Sequence, residues 1–479
     1  MLFNSLEFAF FLPVVFFIYW FVAHNTIRKQ NLWLLIASYL FYGWWDWRFL
    51  LLLAFSSTVD YFVGHKLALT ANQSDRNRLL GLSLASNLGL LGIFKYFNFF
   101  SESFASAFTL FGNAPSNPLL LNIILPVGIS FYSFQTLSYT IDIYRKKLQP
   151  TRDPIIFFAF VSFFPQLVAG PIERAANLLP QFQNGRTFDY HKATDGMRQI
   201  LLGLFKKMVI ADNCAVYVNE IFANYATHTG STLFLGAFLF AFQIYGDFSG
   251  YSDIAIGTAR LFGFDLMKNF AFPYFSRDIA EFWRRWHISL STWFRDYLYI
   301  PLGGSRGGLG SKIRNTFIIF VVSGLWHGAN WTFVAWGALN ALYFLPLLLT
   351  KRHRRNLISS PNSRRVPSLH EFFQIITTFT LTLFAWIFFR APTLKDALQY
   401  TAQIFSTSLF SVPEAAPLQT LALIAILIVV EWLQQHQTHA FSVEGIVLPK
   451  GVRWSLYLIV SWSILFFGQT QQEFIYFQF

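Results

Sequence analysis

The sequence predicts an all-α polytopic membrane protein with about 11–13 membrane helices and further re-entrant segments. Of its 479 residues, 54% are hydrophobic and only 13% are charged. That charged fraction is about half of what soluble domains carry. The apolar runs are long and continuous, whereas a membrane β-barrel shows alternating segments of about ten residues. The composition therefore excludes an ordinary soluble enzyme, a disordered chain and a membrane β-barrel.

The candidate membrane spans are apolar runs that approach the length of about 20 residues needed to cross a bilayer. They are residues 6–23, 32–45, 48–63, 79–94, 119–141, 199–218, 232–256, 313–326, 331–349, 372–389, 418–433 and 454–468. Two other stretches, 155–170 and 278–302, are apolar but broken by proline or charge, so we expect re-entrant or interfacial segments there. We expect residues 1–479 to form one membrane-embedded domain with a tail motif at 471–479.

The distribution of basic residues predicts the orientation. The net charge of +12 would favour a nucleic-acid partner in a soluble protein, but here it is typical of the positive-inside bias. We therefore expect no nucleic-acid partner.

Basic clusters follow several spans and precede the last one: Arg28, Lys29, Lys66, Arg76, Arg78, Arg145, Lys146, Lys147, Arg152, Lys351, Arg352, Arg354, Arg355, Lys450 and Arg453. If these loops are cytoplasmic, both termini and the loops 97–118 and 391–417 are extracytoplasmic. We expect a multi-pass protein of the cell inner membrane whose first span, from Leu6, is not a cleaved signal.

Charged residues within apolar segments are costly, which makes them candidates for function. The densest group lies in 278–297, and on a helical wheel its polar members share one side, opposite an aromatic side. The polar members are Arg284, His287, Ser291 and Arg295, and the opposite side is formed by Trp286, Leu290, Trp293 and Tyr297. This pattern fits an interfacial helix with snorkelling arginines. It fits equally well a helix that covers a polar reaction chamber and binds an anionic substrate.

A second candidate is His327, in the polar break Ser323–Trp331 of the apolar stretch 313–349. The stretch is long enough for two short helices that meet within the bilayer, and Gly324 and Gly328 favour close packing between them. Apolar surroundings favour the neutral imidazole that a general base requires. A hydrogen-bonded structural histidine is the alternative. Neither histidine has the spacing of a metal site, and Cys214 is the single cysteine, so we predict no metal.

Two further carboxylates, Asp247 and Asp253, lie in the predicted span 232–256. They are candidates for a proton or ion path. We favour the simpler interpretation, in which they pair with Arg284, Arg285 or backbone amides.

Six motifs in order resemble those of membrane-bound O-acyltransferases. They are Leu125–Tyr132, Phe164–Pro171, Tyr245–Asp253, Phe282–Ser291, Tyr299–Gly304 and Gly324–Gly328. Within that family the chain is similar to the bacterial branch that acylates exported cell-envelope polymers, which includes the alginate O-acetylase membrane subunit. The teichoic acid D-alanyl transfer subunit is similar but more distant.

The resemblance implies the fold of that family, with membrane helices around a central reaction chamber. It implies an acyl-CoA-dependent transfer of an acyl group, expected to be acetyl, across the membrane for O-acetylation of an exported polysaccharide. His327 corresponds to the catalytic histidine of the family and His287 to its second active-site position. Acetyl-CoA is expected as a substrate on the cytoplasmic side, with no tightly bound cofactor. Arg284 and Arg285 are candidates for its phosphates.

The tail 471–479 resembles the C-terminal tyrosine motif of this branch. There the tyrosine is thought to pass the acyl group to an extracytoplasmic serine-dependent partner, a role that would fall to Tyr476. An aromatic belt at the membrane surface is the alternative. For the whole protein, the alternatives are a transporter or flippase for polymer precursors and a non-catalytic subunit of an export complex.

Overall fold

The computed structural model describes residues 1–109, 118–168, 170–357, 366–443 and 449–468, together with 472, 474 and 475. Within these residues every regular element is helical, which confirms the all-α prediction. The chain forms two compact units: unit 1 is Met1–Gly196 with Ala255–Met267, and unit 2 is Met197–Ile254 with Lys268–Phe479. Each unit is described by itself below. The single domain predicted for 1–479 stays a prediction.

The helices follow the hydropathy pattern closely. In chain order they are α1 (Leu6–Phe17), α2 (Ile27–Gly43), α3 (Arg48–Leu69), α4 (Gln73–Leu91), α5 (Phe97–Thr109), α6 (Ile129–Tyr144), α7 (Pro154–Ser162), α8 (Phe164–Leu167), α9 (Ala175–Gln183), α10 (Tyr190–Leu204), α11 (Asp212–Ala223), α12 (Gly230–Leu261), α13 (Ile279–Arg285), α14 (Ile288–Phe294), α15 (Leu309–His327), α16 (Trp331–Leu349), α17 (Leu369–Arg390), α18 (Leu394–Ile404), α19 (Leu418–Leu433) and α20 (Lys450–Phe467). Short π-helical segments at Ile18–Val22, Gly92–Tyr96, Phe205–Ala211 and Arg295–Tyr299 adjoin some of them.

Several helices have the length and composition of membrane spans. Among the described residues, four meet both criteria: Gln73–Phe108, Gly230–Leu261, Trp331–Leu349 and Leu369–Arg390. Shorter apolar helices occupy Leu6–Val22, Pro154–Leu167 and Leu418–Leu433. The predicted spans 331–349 and 418–433 coincide with α16 and α19. These helices confirm the polytopic membrane character expected from composition.

Three boundaries differ from the sequence prediction. The span expected at 119–141 becomes helical only at Ile129, because Gly128 turns the chain with a φ of +77°. A Cβ atom on Gly128 would lie 2.8 Å from the Leu167 carbonyl oxygen, so only glycine fits. The connections expected at 97–118 and 391–417 contain the helices α5 and α18, and their extracytoplasmic side stays a prediction.

The two segments expected to be re-entrant or interfacial, 155–170 and 278–302, each contain a break between two helices. The first contains α7 and α8, which meet at Phe163, and the side chains of Phe157, Phe160, Phe163 and Phe164 are buried. Residues 278–302 form α13 and α14 with a break at Trp286–His287, so the continuous helix of the wheel argument was wrong. The irregular segment 269–271 explains the break. Ile288 N–H donates to the Asn269 carbonyl and Ala271 N–H donates to the Arg285 carbonyl, both at 2.9 Å.

Candidate active site

The structure brings the two predicted histidines together within unit 2. His287 lies at the break between α13 and α14, and His327 is the last residue of α15. Their ring centroids are 6.2 Å apart, and their side chains are 0% and 3% exposed respectively. The pairing supports reading the two positions as one site rather than as two isolated structural histidines.

His327 is held in place by the close packing of α15 on α16. A Cβ atom on Gly324 would lie 2.2 Å from the Phe333 carbonyl oxygen, and one on Gly328 would lie 2.0 Å from the Phe333 ring. The predicted role of these two glycines in helix packing is therefore confirmed. Because the chain turns at Gly328–Asn330, the two helices form a hairpin, and the imidazole lies where they meet.

Aromatic rings surround both histidines. The ring centroid of His327 is 5.1 Å from that of Trp336 and 5.2 Å from that of Phe389. His287 contacts Phe248, with centroids 4.6 Å apart. We call this the histidine chamber, and its members are His287, His327, Phe248, Trp326, Trp336 and Phe389. In the described part of the chain, both ring nitrogens of His287 are buried without a hydrogen-bond partner.

The backbone at His287 adopts a left-handed conformation, with φ +43° and ψ +55°. Side chains other than glycine rarely occupy this region, although histidine, asparagine and aspartate enter it more often than most. The hydrogen bonds to Asn269 and Ala271 hold it there. As a result His287 points away from the polar side that the wheel assigned to it with Arg284 and into the aromatic enclosure.

A large cavity lies beside the chamber. It has a volume of about 900 Å³, near the upper end for small-molecule sites. Its lining combines aromatic side chains with five cations and a histidine: Trp283, Phe294, Tyr299, Phe320, Phe344, Arg284, Arg295, Lys312, Lys351, Arg354 and His353. No aspartate or glutamate occurs among its described lining residues. We call this feature the basic cavity.

Most of the positive charge in the basic cavity is unneutralised. Arg295 pairs with Asp296 at 2.7 Å. Within the described residues no carboxylate lies within ion-pair distance of Arg284, Lys312, Lys351 or Arg354. Arg284 donates one hydrogen bond to the His353 carbonyl at 3.3 Å, while its Nη2 atom is buried without a partner among those residues. An anionic ligand would supply the missing counter-charge.

The pKa of His353 reflects this environment. Burial lowers it below the ordinary value, and a backbone hydrogen bond at Leu347 partly opposes the effect. The neighbouring cations Arg354, Lys312 and Arg284 lower it further. The cavity thus disfavours additional positive charge when it holds no anion.

A thin aromatic layer separates the cavity from the chamber. Trp283 lines the cavity, and its ring centroid is 5.6 Å from that of Trp336, which contacts His327. Ser323, one turn before His327 on α15, also lines the cavity. Trp283 and Trp336 therefore lie between a ligand in the cavity and His327.

The two candidate arginines have different surroundings. Arg284 lines the cavity, whereas Arg285 is absent from its lining and pairs with Glu281 at 2.6 Å. Sequence reasoning missed Lys312 as a cavity residue and favoured topological bias over binding of anionic lipid for the cluster that contains Lys351 and Arg354. An antiparallel α15–α16 hairpin places the start of one helix beside the end of the other, and that geometry could have indicated them.

The predicted carboxylates Asp247 and Asp253 pair with lysines. Lys207 Nζ is 2.8 Å from Asp247, and Lys206 Nζ is 3.1 Å from Asp253. The expected arginine partners were therefore wrong, because neighbouring lysines in Phe205–Ala211 occupy both carboxylates. The expected backbone amide was right, since Ile475 N–H donates to Asp247 at 2.6 Å. Tyr476 lies outside the described residues.

Comparison with known proteins identifies the class. The model of the membrane-bound O-acyltransferase (MBOAT) family matches residues 146–389. The "Probable alginate O-acetylase AlgI" of Pseudomonas putida is 42% identical over 85% of this chain and 80% of its own length. The "Peptidoglycan O-acetyltransferase" of Helicobacter pylori is 36% identical over 83% of this chain and 79% of its own. A "Teichoic acid D-alanyltransferase" of Streptococcus thermophilus is 29% identical over 47% of this chain and 56% of its own.

The helical fold and the family match thus define a polytopic membrane enzyme. The chain belongs to the membrane-bound O-acyltransferase family and is an acyltransferase. Its matched region contains both histidines and the whole basic cavity.

Proposed function

We propose that this enzyme moves an acetyl group from cytoplasmic acetyl-CoA across the membrane for O-acetylation of an exported cell-envelope polysaccharide. The names of the alginate and peptidoglycan O-acetyltransferase relatives support the acetyl group and the class of polymer. The observation that carries the proposal is the position of a buried histidine pair one aromatic layer from a cation-lined cavity.

The basic cavity is the proposed site for the CoA portion of the donor. Phosphate groups bind to arginine and lysine through charge-assisted hydrogen bonds. We assign this role to Arg284 together with Lys312, Lys351 and Arg354, which form no ion pair with a described carboxylate. We assign Arg285 a smaller contribution, because its guanidinium already pairs with Glu281.

His327 is the proposed general base. It takes the proton from the acceptor hydroxyl, whose oxygen attacks the thioester carbonyl carbon. The carbon–sulfur bond then breaks, and the departing sulfur recovers the proton from the imidazolium to leave as the CoA thiol. We propose that His287 orients the thioester through its ring nitrogens. The enclosing rings exclude water, which would otherwise hydrolyse the donor.

The acceptor in this first step is proposed to be Tyr476, which then passes the acetyl group to a serine-dependent extracytoplasmic partner. A phenol with a pKa near 10 needs a base such as His327 to act at neutral pH. An aryl ester is a more activated donor than an alkyl ester, so transfer onward to serine is favourable. The variant Tyr476→Phe should abolish polymer acetylation at an unchanged protein level. Normal acetylation would instead support the aromatic-belt alternative.

The proposed orientation places both termini outside the cell inner membrane and the basic cavity on the cytoplasmic side. Lys351 and Arg354 belong to a loop already expected to be cytoplasmic, which supports the assignment. In intact cells an impermeant thiol reagent should label Ser411→Cys but not Ser305→Cys, both in a Cys214→Ser background. The reverse pattern would overturn the orientation.

One experiment separates the enzyme from the rival functions. Purified protein in proteoliposomes should consume acetyl-CoA and transfer its acetyl group, and His327→Ala should abolish this. A transporter or flippase for polymer precursors would move its cargo without acetyl-CoA. A non-catalytic subunit would be indifferent to His327.

A further inference from the structure

Two adjacent lysines in unit 2 occupy two separate buried ion clusters. Lys206 and Lys207 follow one another in the π-helical segment Phe205–Ala211. The Lys206 cluster consists of Lys206, Asp253 and Glu431, with ion-pair distances of 3.1 and 3.0 Å. The Lys207 cluster consists of Lys207, Asp212 and Asp247, with distances of 2.7 and 2.8 Å. Each cluster thus holds one cation and two carboxylates.

The two clusters differ in how their remaining hydrogen bonds are satisfied. In the Lys206 cluster the additional donors are side chains: Gln199 donates to Asp253 at 2.8 Å, and the Tyr245 hydroxyl donates to Glu431 at 2.7 Å. In the Lys207 cluster the additional partners are a backbone donor and a backbone acceptor of the C-terminal segment. Ile475 N–H donates to Asp247 at 2.6 Å, and Lys207 donates to the Gln472 carbonyl at 3.1 Å.

The side chain between these two contacts is buried as well. Phe474 is 0% exposed, and its ring centroid is 4.2 Å from that of Tyr251. It also lies 6.3 Å from Phe248, the residue that packs against His287. The C-terminal segment is thereby connected to the histidine chamber through a single aromatic side chain.

Removal of this segment would deprive the buried side chains of Asp247 and Lys207 of one hydrogen bond each. A buried carboxylate that loses a hydrogen-bond donor is destabilised, because the cost of burying its charge is then less well compensated. The Lys207 cluster is therefore complete only when the C-terminal segment is bound, whereas the Lys206 cluster is complete without it.

We propose that Lys207 and Asp247 are positioning residues that bind the segment 472–475 and so place the next residue, Tyr476, for acyl transfer. This deepens the proposed function and rests on it for the role of Tyr476. The contacts at 472 and 475 use backbone atoms and do not depend on which side chains stand there, while the side chains of Phe474 and Ile475 are both buried.

The test measures binding of the segment independently of activity. In a Cys214→Ser background, the side chain of Ile475→Cys should be buried and react slowly with a maleimide in detergent-solubilised protein. Asp247→Asn should raise the rate of modification by about tenfold or more, because a charge-assisted hydrogen bond is lost. Asp253→Asn, the matched change in the Lys206 cluster, should leave it unchanged.

Phe474→Ala provides a second release of the segment that leaves the buried charges intact, and it should also raise the modification rate. Unchanged protection in both Asp247→Asn and Phe474→Ala would overturn the proposal. An equal rise in Asp253→Asn would overturn it too, since the effect would then be general loosening. Faster modification with normal polymer acetylation would support binding of the segment while refuting the Tyr476 relay. His327→Ala should abolish transfer with the segment still protected.

Discussion

The histidine chamber and the basic cavity lie on two sides of one aromatic layer, yet their chemistry is opposite. The chamber contains two titratable rings among aromatic walls. The cavity holds about 900 Å³ of space, five cations and no described acidic lining residue. Binding of a charged donor and proton transfer at a neutral imidazole need different dielectric surroundings, and the fold separates them.

This comparison divides the expected effects of mutation into two classes. Changes in the chamber should lower kcat, because they affect groups that act on the reacting atoms. Changes in the cavity should raise KM for acetyl-CoA and leave kcat near its original value, because they remove binding made equally before and during the reaction.

The largest effect is expected for His327→Ala. Loss of a general base costs about 10²–10⁴ in rate. Acetyl transfer should be measured in proteoliposomes with the amount of inserted protein held equal. His228→Ala is a suitable control, since that ring is bonded to Glu220 and Glu414 outside the chamber. Turnover like that of the original enzyme in His327→Ala would refute the assignment.

Substitution of His287 is expected to lower kcat less, by about 10–100-fold. His287 is proposed to orient the thioester, so its loss misplaces the reacting group without removing the base. His287→Asn is the better variant, since asparagine tolerates the left-handed backbone at this position. His287→Phe retains the packing on Phe248 but removes the ring nitrogens. Full activity of the phenylalanine variant would return His287 to a packing role.

The sequence predicted His327 and the two-helix hairpin around it because the polar break and its glycines are local features of 323–331. It did not predict the break before α14. That break depends on hydrogen bonds with Asn269, whose carbonyl accepts from Ile288, and with Ala271, which donates to Arg285. Both residues lie outside a helical wheel drawn through 278–297. His287 was thus identified correctly as a candidate but placed on the wrong side.

The lysine partners of Asp247 and Asp253 also could not be predicted from the sequence around these two residues. Lys206 and Lys207 lie within the segment 199–218, which its hydropathy predicts as a membrane span, and that pattern gives no role to the two lysines. Buried charges in a membrane helix demand partners, but their identity depends on which helices pack together. The same limit applies to Lys312, which meets Lys351 and Arg354 only in the folded cavity.

In the cavity, Arg284→Gln should raise KM for acetyl-CoA about tenfold at a nearly constant kcat, because one charge-assisted contact is lost. Arg285→Gln is the matched control. Its ion pair with Glu281 predicts a lower thermal stability and a KM change of about twofold or less. Equal KM effects in the two variants, or a fall in kcat for Arg284→Gln alone, would contradict the division between cavity and chamber.

The smallest effect concerns pH and His353. Burial and the neighbouring cations lower the pKa of this imidazole, so it is uncharged near neutral pH when the cavity is empty. A bound polyphosphate would oppose the cations and raise the pKa again, which couples ligand binding to proton uptake. The affinity for CoA should therefore increase as pH falls from 7.5 to 5.5, by about two- to fivefold after screening by solvent.

His353→Asn removes the titrating group while keeping a polar side chain of similar size. Calorimetric titration of both proteins with CoA across this range provides the measurement. The variant should lose the pH-dependent part of the affinity and retain the rest, which comes from cations that do not titrate there. An identical pH profile in both proteins would show that no proton on His353 is linked to the phosphates, and the CoA site would then have to lie away from the His353 end of the cavity.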